Sequence, residues 1–211
     1  EITEAVNQPV IVSTAFGKTV ADGFQSASDM RAGDVVLMTK QAGLEGTGII
    51  CSDYEDELSK ILSADELAEG KSKLDEVSVV KEGVIAGRIG THGMHDVTEG
   101  GVLGAVWEMC NISGLGVLID EDKIAVSEVT KKVCKYFSID WKRLISSGCM
   151  LIVASTEKAE YICAEFENNG IMVSQIGTVT EASEGLMLKK SDGKLEKIDS
   201  PKTDELYRVS V

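Results

Sequence analysis

The sequence predicts a layered α/β (α+β) fold in which helices flank a mixed β-sheet. Short runs rich in β-branched residues alternate with longer stretches of helical periodicity, which is typical of a sheet covered by helices. The turn sequence Ser191-Asp-Gly193 favours a closing hairpin, so that some of the strands should pair antiparallel. With 211 residues, of which 43% are hydrophobic, the chain can bury a sizeable core.

The individual elements follow from local patterns. Strands are predicted where apolar and β-branched residues lie between turn signals, at 9–14, 35–39, 94–97, 116–120, 149–154, 172–179 and 185–189. Helices are predicted at 49–62, 64–74, 76–86, 98–113, 127–137 and 157–169, and 76–86 also fits a strand. We expect Ser127 to cap its helix, Gly170 to end the last helix, and Gly33 to take a positive φ in the turn before 35–39.

Charge and composition exclude several classes of partner. The formal charge of -14 argues against binding to nucleic acid or to anionic membranes, whereas a nucleotide carried with Mg²⁺ is compatible with it. The five cysteines are widely spaced, odd in number and mostly within apolar runs, which indicates reduced, buried thiols. Because no apolar stretch approaches 18 residues and no signal peptide opens the chain, we expect a cytoplasmic protein.

The most informative segment is residues 92–101, His-Gly-Met-His-Asp-Val-Thr-Glu-Gly-Gly, which lies just before an amphipathic helix. Thr98 is a good N-cap residue, and Gly100 and Gly101 would leave the first-turn amides open to an anion. Asp96 could then bind substrate or a Mg²⁺-bound water. An equally weighted interpretation is a tight strand-to-helix turn whose glycines only permit close packing.

The two histidines of this segment, His92 and His95, are expected to be structural or to face a substrate. Residues three apart on a strand point to opposite faces, and no cysteine lies nearby to complete a zinc site. No metal ligand set and no catalytic residue are therefore assigned. A second glycine-rich helix start, formed by Gly43, Gly46 and Gly48, is either a further anion site or, more simply, a flexible loop.

Four ordered segments resemble the C-terminal domain of the aminoimidazole ribonucleotide (AIR) synthase-related superfamily. They are residues 31–38, 95–101, 145–153 and 175–179. The similarity extends over roughly residues 8–208, and it is greatest to the hydrogenase expression/formation type. Residues 10–211 would be that domain, and residues 1–9 a remnant of, or linker from, an absent N-terminal ATP-binding domain. The chain starts at Glu1 without a methionine, which is expected if an N-terminal portion is missing. Processing or a removed tag would give the same start.

The resemblance implies a function in ATP-dependent chemistry. Asp96, Thr98, Gly100 and Gly101 would contact ATP in a cleft between domains, with Mg²⁺ as a further cofactor, and His92 and His95 would contact the substrate. The parent enzyme would form a homodimer, would activate a substrate oxygen through a phosphorylated intermediate, and would work with other maturation proteins. This chain alone would be inactive.

One departure from the family bears on the reaction. The hydrogenase-maturation dehydratases that this chain resembles end in a cysteine, whereas this chain ends in Ser210 and Val211 and has no cysteine beyond Cys163. Carbamoyl chemistry is therefore in doubt. The alternatives are a non-catalytic binding or assembly module of the same fold, and a small-molecule kinase of the thiamine-monophosphate type.

Overall fold

The computed structural model describes residues 10–14, 16, 18 and 23–209, and it contains a seven-stranded mixed sheet. The strands are β1 (Val35–Thr39), β2 (Gly93–Asp96), β3 (Gly116–Asp120), β4 (Met150–Ala154), β5 (Val173–Thr180), β6 (Leu186–Lys189) and β7 (Leu195–Lys197). Their order across the sheet is β2-β4-β1-β5-β3-β6-β7. Among the described strands only β3 and β6 pair in parallel, so the predicted mixed sheet is confirmed.

Helices cover both faces of the sheet. They are α1 (Leu44–Asp53), α2 (Glu55–Leu58), α3 (Ala64–Ser72), α4 (Val80–Ile89), α5 (Gly101–Ser113), α6 (Glu128–Tyr136) and α7 (Thr156–Asn168). Helix α5 packs on one face, where Val36 and Val153 point, and α4 and α7 pack on the other, where Val35 and Ile152 point. Because helices cover both faces, every residue of β1 and β4 is buried, which explains their continuous apolar sequence.

A third layer contains α1, α3 and α6, which form a separate apolar cluster beside the sheet. Helix α1 begins at Leu44, earlier than the predicted start near Ile49, and Tyr54 separates it from α2. A Cβ at Gly46 would lie 2.5 Å from Leu144 Cγ, so this glycine permits helix contact. Gly46 and Gly48 lie inside α1, so the flexible loop predicted for this segment is wrong, and the contact of Gly46 with Leu144 gives this glycine a packing role.

Two groups of buried charges tie the layers together. The Lys40 ammonium lies 2.8 Å from Glu82, whose side chain is 3% exposed, and donates to three backbone carbonyls. Glu121 accepts from Lys142 at 3.0 Å and from Lys190 at 2.9 Å. Desolvation raises the pKa of the Glu121 carboxyl, but the hydrogen bonds from the two lysines outweigh it and lower this pKa to about 2.

One predicted element is wrong, and one helix begins later than predicted. The expected strand at 9–14 is absent from its described part: residues 10–14 have no regular structure, and Ile11 is 87% exposed, so no neighbouring strand pairs with this apolar run. The helix predicted from Thr98 begins only at Gly101. Other boundaries shift by a few residues, and the ambiguous segment 76–86 is helical from Val80.

Candidate functional site

The segment 92–101 forms the edge strand β2 and its link to α5. Strand β2 pairs only with β4, so its second edge is free of strand partners among the described residues. Val97 is fully buried and anchors the link, whereas the Asp96 side chain is 61% exposed. Thr98 is half-buried and Glu99 is exposed. In the described part of the chain, the side chains of Asp96, Thr98 and Glu99 form no hydrogen bonds.

Thr98 does not cap helix α5, which corrects the sequence prediction. The N-cap residue is Gly100, whose φ of 82° is left-handed, and no side chain bonds to the first-turn amides from that position. Glycine adopts this left-handed conformation at little energetic cost. The glycine pair therefore forms a turn that delays the start of the helix, and Thr98 lies in the link before this turn.

The amides of Gly100 and Gly101 are not open. The Gly100 N–H donates to Asp204 Oδ2 at 2.7 Å, and the Gly101 N–H donates to the carbonyl of Thr98 at 3.1 Å. Asp204 is 5% exposed, and its Oδ1 also accepts from the N–H of Leu206. A carboxylate is favoured at a helix N-terminus by the helix dipole. The anion at this position is thus supplied by the chain itself.

Close packing explains Gly101. A Cβ there would lie 2.7 Å from the carbonyl oxygens of both Lys142 and Leu144, and the φ of 60° is itself strained for other residues. These oxygens leave no room for a side chain on Gly101, and the contacts of Gly100 and Gly101 are those of a tight turn. Beside Gly100, an open pocket of about 220 Å³ includes Arg143 and the segment 199–203.

The two histidines lie near each other in sequence, but each contacts a different carboxylate. His92 Nδ1 lies 2.8 Å from Asp34 Oδ2, before β1, and His95 Nε2 lies 2.7 Å from Glu108 Oε2, on α5. His95 Nδ1 also faces the backbone carbonyl of Asp96 at 2.5 Å. Both nitrogens of His95 are therefore engaged with acceptors, whereas His92 uses one.

Sequence reasoning missed three residues of this region, namely Asp34, Glu108 and Asp204. Asp34 is 58 residues from His92 and Asp204 is 104 residues from Gly100, so no local spacing indicates either contact. Glu108 is 13 residues from His95, and its contact depends on how α5 folds back over β2. The helical phase of α5 could have shown that Glu108 lies off its apolar stripe, but not what it contacts.

The described residues hold neither a metal cluster nor an activated thiol. They contain no group of three or more His, Cys, Asp or Glu side chains that could hold a metal ion. All five cysteines are free thiols, as predicted, and four are buried. Burial raises the pKa of Cys51 and of Cys110 to about 11, which disfavours the reactive thiolate. None of the described helices is long and apolar enough to cross a bilayer.

Known proteins with related sequences are longer than this chain. A putative hydrogenase expression/formation protein of Methanocaldococcus jannaschii is 26% identical over 209 residues, which cover 95% of this chain and 58% of that protein. A carbamoyl dehydratase HypE of Rhizobium leguminosarum bv. viciae is 26% identical over 161 residues, covering 74% and 43% respectively. The chain thus spans about half the length of these relatives.

Solved structures share the fold. Escherichia coli HypE, a hydrogenase maturation protein, matches with a TM-score of 0.70 at 22% identity, over 88% of this chain and 55% of that one. HypE in complex with ATP gives 0.66 at 18% identity, covering 86% and 55%. A ThiL complexed with AMPPCP and TMP gives 0.64 at 17% identity, covering 88% and 54%.

The family model described as "AIR synthase related protein, C-terminal domain" matches residues 31–189. This range runs from the turn before β1 to the end of β6, and it includes the whole of the 92–101 segment. The match covers most of the chain and agrees with the fold of the solved relatives. This chain therefore belongs to the AIR synthase-related family, and it corresponds to the C-terminal domain of that family.

Proposed function

We propose that this chain is the C-terminal domain of an ATP-dependent enzyme resembling the hydrogenase expression/formation proteins. One observation carries the proposal: the family motif forms an edge strand and a link whose polar side chains, Asp96, Thr98 and Glu99, form no hydrogen bonds with the described residues. The Asp96 carboxylate has only a 3.9 Å contact with His95 Nδ1. Unpaired polar groups on a strand-to-helix link are typical of α/β ligand sites. That a HypE of the same fold was solved with ATP supports a nucleotide as the ligand.

In this proposal the domain forms one wall of a cleft, and an ATP-binding domain forms the other. The Thr98 hydroxyl would donate to a phosphate oxygen, and Asp96 would face the Mg²⁺ that accompanies ATP and neutralises its charge. His92 and His95 would contact the substrate. The amides of Gly100 and Gly101 would reach a phosphate only after Asp204 withdraws and the turn opens.

Residues 1–9, which lie outside the described part of the chain, would link the two domains. The complete protein would act as a homodimer together with other maturation proteins. The solved complex of HypE with HypF supports a maturation protein as a partner.

The contact between Asp204 and Gly100 favours a second candidate, a binding or assembly module that keeps the fold without nucleotide chemistry. A carboxylate already bonded at the start of α5 is what a domain without a phosphate ligand would retain. The two candidates differ in one measurable property. The enzyme binds Mg²⁺–ATP through this motif, and the module does not.

The test is calorimetric titration of Mg²⁺–ATP into the protein expressed from its complete gene. Asp96→Asn and Thr98→Val are each expected to weaken binding by roughly tenfold or more, since each removes a polar group placed against ATP or its metal. Asp192→Asn, in the hairpin at the opposite edge of the sheet, is the control and should bind normally. Unchanged affinity in both motif variants would favour the module.

A further inference from the structure

His92 is held in a fixed orientation by a buried carboxylate. Asp34 is 4% exposed, and its Oδ2 accepts from the N–H of Arg31 at 2.8 Å while facing His92 Nδ1 at 2.8 Å. Both backbones are also fixed, because the His92 N–H donates to the carbonyl of Val153 and the Asp34 carbonyl accepts from Val179. The ring is therefore oriented by the sheet as well as by the carboxylate.

The contact with Asp34 determines which ring nitrogen carries the proton. An ionised carboxylate can only accept hydrogen bonds, so in the neutral ring of His92 Nδ1 must be the donor and the lone pair lies on Nε2. Nε2 bonds to no described residue, and it is not one of the buried polar atoms that lack a hydrogen-bond partner. The His92 side chain is 16% exposed, which leaves this nitrogen open to solvent.

The other histidine of the chain cannot take this role in the same conformation. His95 presents Nδ1 to the Asp96 carbonyl and Nε2 to the Glu108 carboxylate, so both of its nitrogens face acceptors. Only a ring that is protonated on both nitrogens can donate to both groups. A base needs a ring nitrogen that no acceptor already faces, and of the two histidines only His92 has such a nitrogen with respect to the described residues.

We propose that His92 is a general base of the enzyme and that Asp34 is its positioning residue. The inference rests on the proposed function, since the base needs a substrate on which to act. A substrate hydroxyl or amine would give its proton to Nε2, and the bonding electrons would remain on the oxygen or nitrogen, which becomes the nucleophile. The Asp34 carboxylate would balance the charge of the resulting imidazolium.

The arrangement of the pair is tested by long-range ¹H–¹⁵N NMR on the 211-residue chain at pH 8. The sequence holds only two histidines, so the two ring systems are readily assigned. We expect His92 to carry its proton on Nδ1, which is the minor tautomer of free histidine. Asp34→Asn should return it to the Nε2–H form, and Glu108→Gln, the matched control, should change His95 alone. An Nε2–H tautomer in the unaltered chain would overturn the pair.

The catalytic role is tested by chemical rescue in the complete protein, with phosphate release from ATP as the measurement. His92→Gly should lower turnover by roughly 10²- to 10⁴-fold, and added imidazole should restore part of it. Imidazole should not rescue His95→Gly, which serves as the comparison. Turnover that survives His92→Gly, or a loss that imidazole does not restore, would refute the base.

Failure of the proposed function gives a different result. An unaltered complete protein that neither binds nor turns over ATP refutes the ATP-dependent enzyme and, with it, the catalytic role of His92. The NMR experiment still reports the Asp34–His92 geometry in that case. If ATP binds and turns over but the tautomer is wrong, only the base assignment falls.

Discussion

Replacing the glycines at the two ends of α5 with alanine separates backbone strain from packing. Gly101 and Gly114 both have left-handed φ values, 60° and 70°. They differ in their surroundings. A Cβ at Gly101 would lie 2.7 Å from the carbonyl oxygens of Lys142 and Leu144, whereas nothing lies within 4 Å of a Cβ at Gly114. The pair therefore has the same conformational cost and a different steric cost.

The magnitudes follow from these two contributions. A left-handed alanine costs about 1 kcal/mol, which is the whole expected effect at Gly114. At Gly101 the clash with backbone oxygens, which cannot rotate away, adds about 2 kcal/mol, for a total of about 3 kcal/mol. In a chain of this length each kcal/mol lowers the melting temperature by about 3 °C, so we expect losses of about 3 °C and about 9 °C.

Urea unfolding followed by circular dichroism measures both free energies of unfolding. The slope of the unfolding free energy against urea concentration should be the same for both variants, so that the difference between their free energies of unfolding reflects the native state. If Gly101→Ala proves no more destabilising than Gly114→Ala, the start of α5 is not packed as described. The tight-turn interpretation of the glycine pair would then lose its support.

Two further predictions concern the buried charges. Lys40→Met should cost about 3–5 kcal/mol in urea unfolding, because it leaves the Glu82 carboxylate buried without its cation; Lys60→Met, which breaks only an exposed pair, is the control and should leave the midpoint unchanged. Since the pKa of Glu121 is lowered from 4.5 to about 2, its contribution is complete above pH 4.5 and is lost as the pH falls towards 2. Glu121→Gln should abolish about 2–3 kcal/mol of that dependence, and an unchanged acid unfolding curve would contradict the assignment.

The parts of the fold that the sequence predicted correctly depend on local signals. Strand β1 has the predicted bounds, and Gly33 has a φ of 92° in the turn before it. Ser127 caps α6 by accepting from the N–H of Thr130, and Gly170 follows α7 with a φ of 69°. Each of these features is decided by a few neighbouring residues, through side-chain bonding, burial or the absence of a Cβ.

The parts that it could not predict depend on distant partners. The apolar run 10–14 has the composition of a strand, but a strand also needs a neighbouring strand with which to pair. No described strand pairs with this run, and composition alone does not indicate this. Thr98 satisfies the preference for an N-cap residue, yet the left-handed Gly100 after it moves the start of the helix. The carboxylates of Asp34 and Asp204 come to the site from opposite ends of the chain.

The contact between Asp204 and Gly100 changes which residues of the motif can meet a ligand. A hydrogen bond to a charged group contributes about 1.5–3 kcal/mol, so an anion that displaced Asp204 would bind roughly 10- to 150-fold more weakly than one entering an open site. Thr98 and the Nε2 of His92 bear no such cost, because they have no hydrogen-bond partner to lose among the described residues, and Asp96 would lose only a 3.9 Å contact with His95. The glycine pair is the most recognisable part of the motif, but its contacts are those of a packed turn. The chemistry of this domain is therefore better inferred from the unpaired side chains around the turn than from the glycines that shape it.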